Sequence, residues 1–210
     1  MVRGALCGGL LLLGGCVVVM RDTTSQAVPP LTRQIQQEAM RVSPPPDIYV
    51  ASERFAERLS DFSIALRRTE LGGMPPGDAD MNLLLRLFAL TLEELPAGER
   101  VGTSVAAAEM QEAAEAMRTP EFGLPGSPPR REAFVHGLSV GAETLLALAY
   151  GPYGGAGQDL ADRTAELESS YEAAMAEPQP MPYEVALGVL RRSLLVLKVM
   201  HKIVGAPVVP

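Results

Sequence analysis

The sequence predicts an all-α domain of about six helices, arranged as one bundle or as three stacked helical hairpins and preceded by a disordered tether. Three observations predict it. Apolar residues make up 47% of the 210, but aromatics only 5%, and tryptophan is absent, so the core must be mostly Leu, Val, Ala and Met. Strands favour β-branched and aromatic residues, so this mixture suits helices packed on helices. Apolar residues recur at helical spacing in successive segments, and clusters of Pro and Gly separate those segments. The length suits one ordinary domain with a tail.

Met1-Val2-Arg3 supplies a short positive region, and Gly4 to Leu13 an apolar run of the size found in export signals. The run ends in Leu13-Gly14-Gly15-Cys16. In these residues the chain resembles the bacterial lipoprotein signal, whose lipobox places Leu three residues before the Cys and small residues between. The resemblance covers the first 16 residues only. It implies a signal peptide over residues 1–15, a diacylglycerol on the Cys16 thiol and a further acyl chain such as palmitate on its freed amine. Each buried CH₂ adds about 0.8 kcal/mol, so two or more chains anchor stably. Val17, where an Asp would signal inner-membrane retention in such lipoproteins, implies delivery to the outer membrane, with the body facing the periplasm. The apolar Val17-Val18-Val19-Met20 departs from the usual polar start. Two alternatives stay open. Ser25-Gln26-Ala27 is a small-x-small site whose cleavage would release a periplasmic or secreted protein. Ala5 to Met20 could stay as an uncut anchor, although its 16 residues fall short of the ~20 that span a bilayer.

Residues 16–46 read as the lipidated Cys and a flexible tether, bounded by Pro29-Pro30 and Pro44-Pro45-Pro46, and residues 47–210 as the helical domain. Leu31 to Val42 lacks a sustained apolar stripe. The first helix runs from Asp47, read as its N-cap, to about Thr69 on Ile48, Phe55, Leu59, Phe62 and Leu66, and Gly72-Gly73 stops it. The second opens near Asp78 or Asp80 and reaches Glu94. It is apolar nearly all round (Leu83, Leu84, Leu85, Leu87, Phe88, Leu90, Leu92), which predicts a central position. The third, Thr103 to Arg118, has only Ala106, Met110, Ala113 and Met117 as its stripe and should be peripheral, burying little. The fourth starts at Pro128-Pro129 and ends at Tyr150, with Phe134, Leu138, Leu145 and Leu148 inward. Its Gly137 and Gly141, one turn apart, would admit a neighbouring backbone. The fifth runs from Asp159 to Ala176 on Leu160, Thr164, Leu167, Tyr171 and Met175. The sixth, Tyr183 to Val204, confines Glu184, Arg191, Lys198 and Lys202 to one narrow face. The second, fourth and sixth helices should supply most of the core. Starts at Asp47, Thr103 and Asp159, about 56 residues apart, hint at three helical hairpins.

A net charge of −7 argues against nucleic acid, whose phosphates need a basic surface, and leaves membrane contact to the lipid on Cys16. Both cysteines, Cys7 and Cys16, lie in the first apolar stretch, so the body has no disulfide, thiolate nucleophile or cysteine metal site.

No catalytic, cofactor or metal constellation outweighs its plainer alternative. Glu132, His136, Ser139 and Glu143 share a helical face, which reads as a solvated face with a Glu132–His136 contact. His201 near a helix C-terminus reads as a capping or snorkelling residue. Gly151 to Gly157 precedes a helix, but no Gly-Lys-Ser/Thr follows and no strand leads in, so it reads as a turn. Pro152-Tyr153 on that turn is a possible partner contact. Ser104, Ser139 and Ser193 lack a nucleophile elbow. The functional expectation is therefore a non-enzymatic envelope lipoprotein that binds a protein partner or aids assembly. The alternatives are a periplasmic carrier of a small apolar ligand, or an enzyme whose residues converge from distant positions.

Overall fold

Six helices follow one another in the computed structural model, which describes residues 46–95, 102–119, 125 and 127–205, with side chains from Glu53 to Val204 within those ranges. They are α1 (Pro46–Leu71), α2 (Asp78–Glu93), α3 (Thr103–Ala116), α4 (Pro128–Tyr150), α5 (Gln158–Met175) and α6 (Tyr183–Gly205). No strand occurs among the described residues. The signal peptide, Cys16, Ala27 and the tether lie outside them. Every predicted helix is present within a few residues of its expected ends. One start differs in kind: α1 begins at Pro46, so Asp47 is inside the first turn and not its N-cap. Pro is suited to that first position because its missing N–H has no intrahelical partner there.

The turns have local causes. Gly73, Gly102 and Gly157 have φ of +67°, +71° and +106°, where a β-carbon would be strained. At the start of α2 the Gly77 amide donates to Asp80 Oδ2 at 3.0 Å, tying down one of the unpaired N–H groups of the helix end.

Three helices are inner and three outer. α4 packs against α2 and α6, and α2 touches α6; α1 lies between α6 and α2, α3 between α2 and α4, and α5 between α4 and α6. The inner helices run parallel, and each outer helix runs antiparallel to its neighbours. The architecture is therefore three consecutive hairpins, α1–α2, α3–α4 and α5–α6, around a pseudo-threefold axis. Burial repeats with it. Positions 81, 84, 85, 88, 89, 92 and 95 are buried, as are 134, 137, 138, 141, 142, 145 and 148, and 186, 189, 190, 193, 194, 197 and 200. These three sets have one internal spacing and are offset by 53 and then 52 residues. On the outer helices Phe62, Met110 and Leu167 correspond, as do Leu59, Ala107 and Thr164.

The prediction for α3 needs correction. It is an outer helix, but it does not bury little: Ala107, Met110, Ala114 and Met117 are at most 1% exposed. The reason is the pair of glycines on α4. A β-carbon on Gly137 would stand 2.9 Å from Ala113 Cβ, and one on Gly141 2.6 Å from Met110 Cε and 2.7 Å from Phe88 Cε1. Without those carbons α3 sinks against α4 until its small residues touch backbone. The side-chain amide of the buried Asn82 donates to the Ala114 carbonyl, tying α2 to the same helix.

Candidate functional site

Two places on the bundle carry side chains that its packing alone does not require. The first is a groove between α1 and α2. Gly72-Gly73-Met74-Pro75-Pro76 joins α1 to α2, and its residues are exposed or half-buried. The groove holds about 490 Å³ and is lined by Ile64, Arg68, Met74, Pro76, Leu83 and Leu87 together with Asp61 and Asp80. Ile64, Leu71, Met74 and Leu83 are 48%, 73%, 79% and 51% exposed. They are four of the six large apolar residues that stand exposed among the described residues, the others being Val105 and Tyr150. The all-round apolarity of α2 predicts a central position; the helix is central, but Leu83 is surplus to the core and faces water.

The second place is a polar cluster where the N-termini of α2, α4 and α6 meet on the pseudo-threefold axis. Tyr183 Oη donates to Asp78 Oδ1 at 2.8 Å, and Arg130 Nη1 lies 3.7 Å from Asp78 Oδ2. Arg131 stacks its guanidinium 4.6 Å over the Tyr183 ring, whose edge meets Phe134, and reaches the Met181 carbonyl. Burial, followed by the hydrogen bond to Asp78, pushes the Tyr183 phenol well above its ordinary range. An acid, two cations and an aromatic here lock three helix ends together. Asp78 and Tyr183 are 105 residues apart, so no local pattern announced the contact.

The residues singled out from sequence fall elsewhere. His136 is on an exposed face as expected, but its partner is not Glu132: Nε2 lies 3.0 Å from Glu109 Oε1 on α3. The close approach of α3 brings Glu109 within reach. Ser139 and Glu143 do act together, with Tyr171 of α5 as a third member. Ser139 Oγ donates to Glu143 Oε1 at 2.9 Å, Tyr171 Oη donates to the same carboxylate, and the two hydroxyl oxygens lie 2.9 Å apart. Burial and then that carboxylate raise the Tyr171 pKa. Tyr150 donates to Glu168, whose hydrogen bond raises its pKa too. These contacts stitch α4 to α5.

His201 is half-buried with its ring 5.7 Å from that of Phe55, so it packs against α1 more than it caps α6. Gly151 to Gly157 is a turn, but Tyr153 on it is 7% exposed and belongs to the core, which removes it as a partner contact. Ser104 is exposed and Ser193 fully buried, with no hydrogen-bond partner for its hydroxyl among the described residues. Among those residues no three His, Cys, Asp or Glu side chains gather in a way that would hold a metal. Comparison with known proteins matches no family model, no curated protein and no solved structure.

Proposed function

We propose that this chain is a non-enzymatic cell-envelope lipoprotein, anchored in the outer membrane through lipid on Cys16, whose helical body binds a protein partner in the periplasm. One observation carries the binding reading: the α1–α2 groove, where Ile64, Met74 and Leu83 expose apolar surface to solvent. Large apolar surface held in water and rimmed by polar residues is the usual mark of an interaction site. The Leu13-Gly14-Gly15-Cys16 motif supports the anchor.

Metabolic labelling with a tagged fatty acid tests the anchor. Label is expected on the wild-type chain and lost in Cys16→Ala, and label that persists in the variant overturns it. Density-gradient fractionation is expected to place the chain in the outer membrane. For the body, a photo-crosslinking residue placed at Leu83 in cells is expected to form a discrete adduct with a protein. Adducts with lipid or a small apolar molecule alone would favour the carrier reading instead.

A further inference from the structure

Seven of the ten methionines lie among the described residues, and packing has covered six of them. Met81, Met110 and Met200 are fully buried, Met117 and Met181 are 1% exposed, and Met175 is partly buried against the core. There they serve as flexible filling between helices. Met74 does not. It is 79% exposed and stands outside both helices of its hairpin, between Gly73 with its positive φ and Pro75. No helix ladder holds it, and its side chain adds little to the packing of the bundle.

Exposure decides how a methionine meets oxidants. Its thioether is an apolar group that a two-electron oxidant, a peroxide or a hypohalous acid, turns polar. With hydrogen peroxide the sulfur lone pair attacks one oxygen and the O–O bond breaks. The sulfur is oxidised by two electrons to a sulfoxide, and the departing hydroxide takes the proton of the transferred OH and leaves as water. A buried sulfur meets the oxidant only when its segment opens, at a free energy that reaches that of global unfolding for core helices. Met74 needs no opening, and a sulfoxide there leaves the core as it was.

We propose that Met74 is a reversible oxidation site by which peroxides and hypohalous acids close the α1–α2 groove. This rests on the protein-binding reading above. Met74 lines the groove with Ile64, Pro76, Leu83 and Leu87, so its oxidation puts a strong hydrogen-bond acceptor on an apolar wall. Water solvates that oxygen in the open groove, and an apolar group docking against it strips the water away without supplying a donor. The device works at the surface and not by unfolding. Dithiol-dependent reductases return the sulfoxide to the thioether while the bundle stays folded; the oxygen leaves as water and the dithiol becomes a disulfide.

The test uses the full-length chain with the photo-crosslinking residue at Leu83, in cells exposed to hydrogen peroxide before illumination. Peptide mapping is expected to find the mass of one oxygen on Met74 first, with Met81, Met110, Met117, Met175, Met181 and Met200 unmodified. The melting temperature of the purified chain should not move, but the Leu83 adduct with protein should be lost. Envelopes from the exposed cells, treated before illumination with methionine sulfoxide reductases for both epimers and dithiothreitol, should recover it. Met74→Leu should keep the adduct through the peroxide. Met74→Gln, a polar stand-in for the sulfoxide, should lack it without any oxidant. Met74 modified no sooner than the buried methionines overturns the inference, as does a Met74→Leu chain that loses its adduct under peroxide as the wild type does. An adduct that survives oxidation of Met74 also overturns it and leaves the protein-binding reading standing. No protein adduct from Leu83 before exposure overturns that reading, and the switch falls with it.

Discussion

At the scale of single residues, facing decides cost. His136 and Glu109 are both well exposed, and a pair in water is worth little. His136→Ala is therefore expected to change stability by less than about 0.5 kcal/mol, whereas Leu138→Ala, two residues on and fully buried, should cost about 2–5 kcal/mol. Urea melts of the two variants check this, and equal penalties would mean that His136 does more than ride on the surface. The Tyr183 hydroxyl gives a second outcome. Its pKa is raised on folding, so the folded chain keeps a proton that the unfolded chain releases from about pH 10. The stabilisation is complete below that pH and is lost as pH rises toward the folded value. Tyr150 and Tyr171 are shifted in the same direction and share the window. Unfolding midpoints measured between about pH 8 and pH 11 should fall at the alkaline end, and Tyr183→Phe should make that fall shallower.

At the scale of elements, glycine has opposite meanings on two inner helices. A β-carbon at Gly141 would meet Met110 and Phe88 below 3.0 Å, whereas one at Gly188 would meet only Ser170 Oγ at 3.6 Å. Gly141→Ala should destabilise by about 1–3 kcal/mol through overpacking, although alanine favours a helix by up to about 1 kcal/mol. Gly188→Ala should realise that gain and raise the melting temperature. A stabilising Gly141→Ala would mean that α3 is free to move off α4. Ser193 is the pseudo-equivalent of Gly141 and buries a hydroxyl without a partner. Ser193→Ala removes the desolvation cost and should be neutral or stabilising, by up to about 1–2 kcal/mol in the same melts.

At the scale of the whole molecule, the hairpins close on themselves. α1 packs against α6 as well as α2, with Arg191 on Glu70 and Lys198 on Ser63 stitching the first and last helices together. Residues 46–207 form one compact unit. A chain truncated to begin at Pro44 is accordingly expected to fold alone, to show a helix-dominated circular dichroism spectrum and to melt in one cooperative step. A broad or multistep melt would show that residues ahead of α1 pack on the bundle.

Six helices, their ends to within a few residues and the inner positions of α2, α4 and α6 were legible in the order of the residues. These depend on local matters: apolar spacing along one helix, and Pro and Gly between helices. The glycines of α4 even announced a close neighbour. Which helix that neighbour was, and so why a stripe as thin as that of α3 is fully buried, required the packing, because a small residue buries as deeply as its partner's backbone allows. The partner of His136, the core position of Tyr153 and the Asp78–Tyr183–Arg130 cluster were likewise decided only in three dimensions, since each joins groups from separate segments. The α1–α2 groove is the clearest case. Its leucines and isoleucine look in the sequence like any other core residues. Only the closed bundle shows that three inner helices already fill the axis and leave Leu83, Ile64 and Met74 facing water.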